Sequence, residues 1–120
     1  RPAHGYVFVK CHFEGRKDRP ADFGRTPENH GTSYPDAEFV VISCTTRNFI
    51  PEGWSEIGED SARMLEYNTV DSDSGKPADV SRRHRWSRQL DAVKDAGLIA
   101  DYSNPAFVLD GWNPQKQTKA

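Results

Sequence analysis

Few residues in this chain carry chemistry at a spacing that demands it. Arg25 follows Gly24 in a turn-rich stretch, where a guanidinium's planar fork can grip a carboxylate through two parallel hydrogen bonds; the alternative is a solvated loop side chain. Trp54 closes the tight turn Ile50-Pro51-Glu52-Gly53-Trp54, where an indole either packs as a lid or offers a flat face to a sugar ring. Arg82, Arg83, His84, Arg85 and Arg88 crowd around Trp86, a combination that can hold phosphates or stacked bases. Acidic residues on both sides, at 71–79 and 91–101, favour a local salt-bridged cap instead. Asp22-Phe23-Gly24 matches the metal-binding triplet of kinases, but no other kinase motif accompanies it. The loop 71–79 lacks the spacing and terminal Glu of an EF-hand and reads as solvated. Cys11, Cys44 and four scattered histidines form no CxxC or HxxxH spacing, so no metal or other cofactor is expected.

The elements that must position these residues are short strands. In residues 6–13, Val7, Val9, Cys11 and Phe13 alternate with Tyr6, Phe8, Lys10 and His12, the period of two that marks a strand. Residues 38–46 repeat the pattern with Val40, Ile42, Cys44 and Thr46 on one face, and residues 63–70 with Leu65, Tyr67 and Thr69. Aligned by inward positions, Cys11 falls on Cys44, and Cys44 in turn falls on Tyr67. A recurring strand with a period in the twenties, lengthened once by a loop, is what stacked β-coils produce; an antiparallel meander is the alternative. Stacking sets Cys11 and Cys44 one strand spacing apart, where a disulfide is geometrically conceivable and two free thiols are the simpler expectation. Pro20, Pro27 and Pro35 break the stretch between the first two runs. Trp86, Leu90 and Val93 fall at helical spacing, and with Asp91 as cap and Gly97 as stop they predict a short helix at 91–96.

Composition bounds the rest. Leu, Ile, Val and Phe total 22 of 120 residues, a core-poor count that would suggest disorder at high net charge. The net charge is only -2 and there are 13 aromatics, so the chain should pack. A pI near 6.1 offers no global field for nucleic acid, and no apolar stretch is long enough for a membrane span, so neither is expected as a partner. The first residue is Arg1, and the chain is expected to be part of something longer.

Several motifs agree with one known family. Phe49-Ile50-Pro51-Glu52-Gly53-Trp54, Glu66-Tyr67-Asn68, Arg83-x-x-Trp86-Ser87 with Leu90, and Val108-Leu109-x-Gly111-Trp112-x-Pro114 resemble, in order and spacing, the C-terminal third of pectinesterases, bacterial members especially. Upstream, Tyr6-Val7-Phe8-Val9-Lys10-Cys11 is similar to that family's strand ending in Asn-Cys, and Phe23-Gly24-Arg25 to its Leu-Gly-Arg-Pro-Trp motif. The likeness runs from about residue 5 to residue 114.

The resemblance implies an all-β fold, a right-handed parallel β-helix. Residues 1–120 would be one unit, with stacked coils at 1–70 and a C-terminal cap at 80–114 in which Trp86 and Trp112 act as anchors. It also implies a carbohydrate esterase that hydrolyses methyl esters of galacturonan-type pectin, without cofactor, in a secreted or periplasmic setting. Arg25 takes the place of the arginine that orients the nucleophilic carboxylate and keeps it ionised. The motif's tryptophan is replaced, since Thr26 and Pro27 follow Arg25, and Tyr34 or Trp54 would take over contact with the sugar. The family's two aspartates belong to segments reading roughly Gln-Asp-Thr-Leu and Gly-x-Val-Asp-Phe-Ile-Phe-Gly, which do not occur in these residues. This chain alone is therefore expected to be inactive and to complete its site with preceding β-helix coils. A non-catalytic module binding a pectic polysaccharide is the alternative. A divergent esterase would instead recruit Glu28, His30 or Asp36 beside Arg25.

Overall fold

The structure, a computed structural model, describes residues 5–24, 28–29, 32–33, 38–55, 63–85 and 87–109. In chain order its elements are β1 (Tyr6–Val9), β2 (His12–Glu14), β3 (Glu28–Asn29), β4 (Thr32–Ser33), β5 (Glu38–Ile42), β6 (Thr45–Arg47), β7 (Arg63–Tyr67), β8 (Val70–Asp71), β9 (Ser87–Gln89), α1 (Ala96–Tyr102) and α2 (Pro105–Val108). One sheet runs β1-β5-β7-β9 and a second β2-β6-β8, and every ladder in both is parallel. The described residues thus form mostly strands in parallel sheets with two short helices among them, and the antiparallel meander is excluded for these strands. Among the named strands only β3 and β4 pair antiparallel.

A left-handed residue joins each of the first three strands of the first sheet to its successor in the second. Lys10, Ser43 and Asn68 have φ of 55°, 53° and 55°, and they fall in the same place on three successive levels. Lys10 N donates to Ile42 O and Ser43 N to Tyr67 O, so the corners stack as the strands do. Asn68 Nδ2 adds a 3.3 Å bond to Ser43 Oγ; asparagine tolerates this backbone region better than most residues.

The corner reverses the alternation that the sequence shows. Val7 and Val9 pack in one cluster with Val40, Ile42, Leu65, Leu90 and Tyr102, whereas Cys11 and Phe13 pack in another with Val41, Cys44 and Met64. The expectation that Val7, Val9, Cys11 and Phe13 share a face is therefore corrected. A left-handed residue turns the chain without completing a pleat, so the strand beyond it presents opposite parity.

A third column closes the second cluster. Ala21 bridges Phe49 in parallel, Phe23 N donates to Gly53 O at 2.8 Å, and Ser55 N donates to Gly24 O at 2.9 Å. Phe8 and Phe39 from the first sheet, Phe13 from the second, and Phe23, Phe49 and Trp54 from this column meet in one aromatic core. Phe23 lies 4.5 Å from Phe49 and 5.0 Å from both Phe13 and Trp54, ring centre to ring centre. Large rings fill this core where leucine and isoleucine are scarce.

Two further expectations change. From the second level to the third, Ile42 stands opposite Tyr67 and Thr45 opposite Val70, so Cys44 stacks on Thr69 and not on Tyr67. A two-residue slip preserves a strand's pleat parity, so period alone could not exclude it. The predicted helix at 91–96 is also displaced. Ser87–Gln89 is a strand on β7, Val93 is 84% exposed, and α1 begins at Ala96 with Gly97 inside it. Asp91 accepts from Val93 N and Lys94 N at 2.8 Å each and so shapes a turn, while Leu98, Ile99 and Tyr102 supply the helix's buried stripe. Asn104 then caps α2, accepting from Ala106 N at 3.0 Å, with Pro105 at its first turn.

Candidate functional site

Of the sequence-predicted site residues only Trp54 is described, and it belongs to the third column. Asp22 is partly exposed and accepts a hydrogen bond from Ser55 Oγ. Gly24, at φ 156°, lies against Phe39, where an added Cβ would come 3.2 Å from the ring. Arg25 is the next residue; it and Tyr34 lie outside the described residues, as do His30 and Asp36. Trp54 is 1% exposed and packs on Phe23 and Phe39, so its ring is a wall of the core here; contact with a sugar would require uncovering it.

Against Phe23 of this column lies a buried ionic centre that sequence reasoning missed. Glu66 on β7 is fully buried and receives a two-pronged pair from Arg83, Nε to Oε1 at 2.9 Å and Nη2 to Oε2 at 3.0 Å. Thr69 Oγ1 donates to Oε2, and Gln89 Nε2 to Oε1 at 2.6 Å. Arg83 also donates from Nη1 to Pro51 O at 3.0 Å and lies 5.8 Å from the Phe23 ring centre. Gly53, at φ 79°, is where the turn passes this side chain, and a Cβ there would sit 2.6 Å from Arg83 Cδ. A buried carboxylate is tolerated only when countercharge and donors replace the water it has lost, and these residues supply both. The signal was a Glu between inward-facing strand positions and an Arg seventeen positions further on.

The basic concentration at 82–88 is divided among separate acids. Arg83 takes Glu66, Arg82 approaches Glu52 at 3.6 Å, and Arg88 pairs with Asp95. Trp86 lies outside the described residues, as does Trp112.

Between β6, β8 and the third column is an open groove of about 490 Å³, walled by Pro51 and Pro77 and rimmed by Arg47, Lys76 and Arg82. Its two acids, Asp71 and Asp79, are held below the usual carboxylate range by hydrogen bonds from Ser74 and Ser81 respectively. Those carboxylates are occupied by their own loops, while Arg47 and Arg82, 47% and 68% exposed, make surface pairs with Asp73 at 3.1 Å and Glu52 at 3.6 Å that an anionic ligand would have to replace. Among the described residues no three His, Cys, Asp or Glu side chains gather as a metal set.

No protein-family model, curated protein or solved structure matches this chain.

Proposed function

We propose that these residues are the C-terminal coils of a pectinesterase-like carbohydrate esterase with a right-handed parallel β-helix fold. The observation that carries the reading is the convergence of separate motifs. Pro51 and Gly53 of the first, Glu66 of the second and Arg83 of the third contact one another through the Arg83 side chain, which lies against Phe23 of the third column. Motifs that agree with a family in order and spacing and also meet in space form a scaffold. In this reading the scaffold holds Arg25 beside an acid pair contributed by preceding coils. The guanidinium orients and keeps ionised the carboxylate that attacks the methyl ester, and the second acid protonates the leaving methoxide and then activates water.

The test is methanol release from methyl-esterified polygalacturonan by the secreted protein that carries these coils, with wild type compared against Arg25→Ala. A loss of about 100-fold or more in kcat with unchanged melting is expected, the scale of removing one charge-stabilising donor from an active site. Unchanged release overturns the assignment of Arg25.

The groove supports a second reading, a module that binds a pectic polysaccharide without catalysis, because its exposed cations suit a uronate chain. In affinity electrophoresis through de-esterified pectin, Lys76→Glu with Arg82→Glu should abolish retardation. Retardation of the wild type together with no methanol release by the whole protein would favour this second reading.

A further inference from the structure

Cys11 and Cys44 occupy the same place on the first two levels, each immediately after its left-handed corner residue. Backbone pairing brackets them closely. Lys10 N donates to Ile42 O and Thr45 N to Cys11 O, both at 2.9 Å. Cys11 N itself points at the Cys44 sulfur, 3.3 Å away. Cys44 Sγ lies 3.5 Å from Phe8 O, back on the first level, so its thiol reaches toward β1. Parallel neighbours run ~4.7–4.9 Å apart, inside the ~4.4–6.8 Å Cα separation that a disulfide spans. Both thiols are free in this structure.

We propose that this pair is a site of reversible oxidation, closed into an intramolecular disulfide by exchange with a small-molecule disulfide such as glutathione disulfide. The two thiols have different parts. Cys11 is half-buried and reachable from solvent, whereas Cys44 is fully buried and burial pushes its thiol up. The Cys11 thiolate therefore attacks the incoming disulfide, forming a mixed disulfide and expelling one glutathione thiolate. Cys44 then loses its proton and attacks the Cys11 sulfur, expelling the second glutathione. Two protein thiols are oxidised and one glutathione disulfide is reduced to two glutathiones.

The bond would tie together the ends of a segment that carries β2, Asp22 and the approach to Arg25. Oxidation would thus pin the first level to the second. The proposal stands on the sulfur geometry and does not depend on the esterase reading.

The test is the thiol–disulfide equilibrium of the whole chain in graded glutathione buffers, in native conditions and in concentrated guanidinium chloride, with the bond located by peptide mapping. Native packing should favour the Cys11–Cys44 bond about 100-fold over the denatured chain, and by linkage the oxidised fold should gain the same factor in its folding equilibrium and melt higher. Because wild type is compared with itself, the result does not depend on whether Cys44→Ser folds; Cys11→Ser, which alters only the half-buried thiol, should show no intramolecular bond. An equal or smaller preference in the native state overturns the proposal. So does a glutathione adduct that stops at Cys11, or a bond that forms only between two chains.

Discussion

Glu66 on β7 and Glu38 on β5 are both buried on one sheet, but on opposite faces, and the protein holds them by different means. Glu66 faces the aromatic core and takes a two-pronged pair from an arginine whose own side chain is only 7% exposed. Glu38 faces the helix side, where Tyr102 Oη donates to Oε2, Gly5 N lies 3.3 Å from Oε1, and Arg63, 39% exposed, stands 3.6 Å away. Arg63 also sits 5.9 Å from the centre of the Tyr102 ring. The interior carboxylate is enclosed by strands and must find its countercharge inside. Glu38 is equally enclosed, but a phenol and an arginine that itself reaches solvent help to hold it. One arrangement locks the loops around the third column; the other clamps α1 onto the sheet.

Removing the cation from the interior pair should cost most. Arg83→Ala would leave the enclosed Glu66 carboxyl without its countercharge, and urea unfolding should show a loss of about 3–5 kcal/mol. The double variant Arg83→Met with Glu66→Leu should recover much of that loss; a double variant no better than the single would show that packing against Gly53 and Phe23, and not charge, dominates. On the helix side, Tyr102→Phe keeps the ring and removes one donor, for an expected loss of about 1–3 kcal/mol. A larger loss there than for Arg83→Ala would invert the comparison.

The capping residues should matter less. Asn104→Ala removes the cap of α2 and should cost about 0.5–2 kcal/mol, read most clearly as faster amide exchange at Ala106. Smallest is the effect of acid on the turn before α1. Backbone hydrogen bonds from Lys94 and then Val93 hold the Asp91 carboxyl below its ordinary value. A carboxyl depressed in the folded state contributes stability above its ordinary pKa and loses it as pH falls through the lowered folded value. Amide exchange at Val93 and Lys94 should therefore show a loss of protection in strong acid, and Asp91→Asn should flatten that response.

Much of the sheet is legible in the sequence because strands announce themselves by period two. The runs that contain β1, β5 and β7 stand out in this way, and setting Cys11 on Cys44 follows the true register. The next step is not legible, since a shift of two residues preserves a strand's pleat parity and period alone cannot choose Thr69 over Tyr67 as the partner of Cys44. The helix is misplaced for a different reason. Asp91 and Gly97 carry the composition of a cap and a stop, but the apolar stripe lies at Leu98, Ile99 and Tyr102, and burial of that stripe chose the helix. Nothing in the sequence reveals that Arg83 joins the turn at Pro51 and Gly53 to Glu66.

Local chemistry is thus written in the chain itself: where strands must run, and that residues 20–35 could not be one long regular element. Those follow from backbone preference and side-chain period, which act over a few residues. Only folding in three dimensions settles that Lys10, Ser43 and Asn68 reverse the pleat, that Glu66 finds Arg83 across seventeen positions, and that Tyr102 reaches Glu38 across sixty-four. Each of these depends on which surfaces exclude water together, and no residue's neighbours in the chain carry that information.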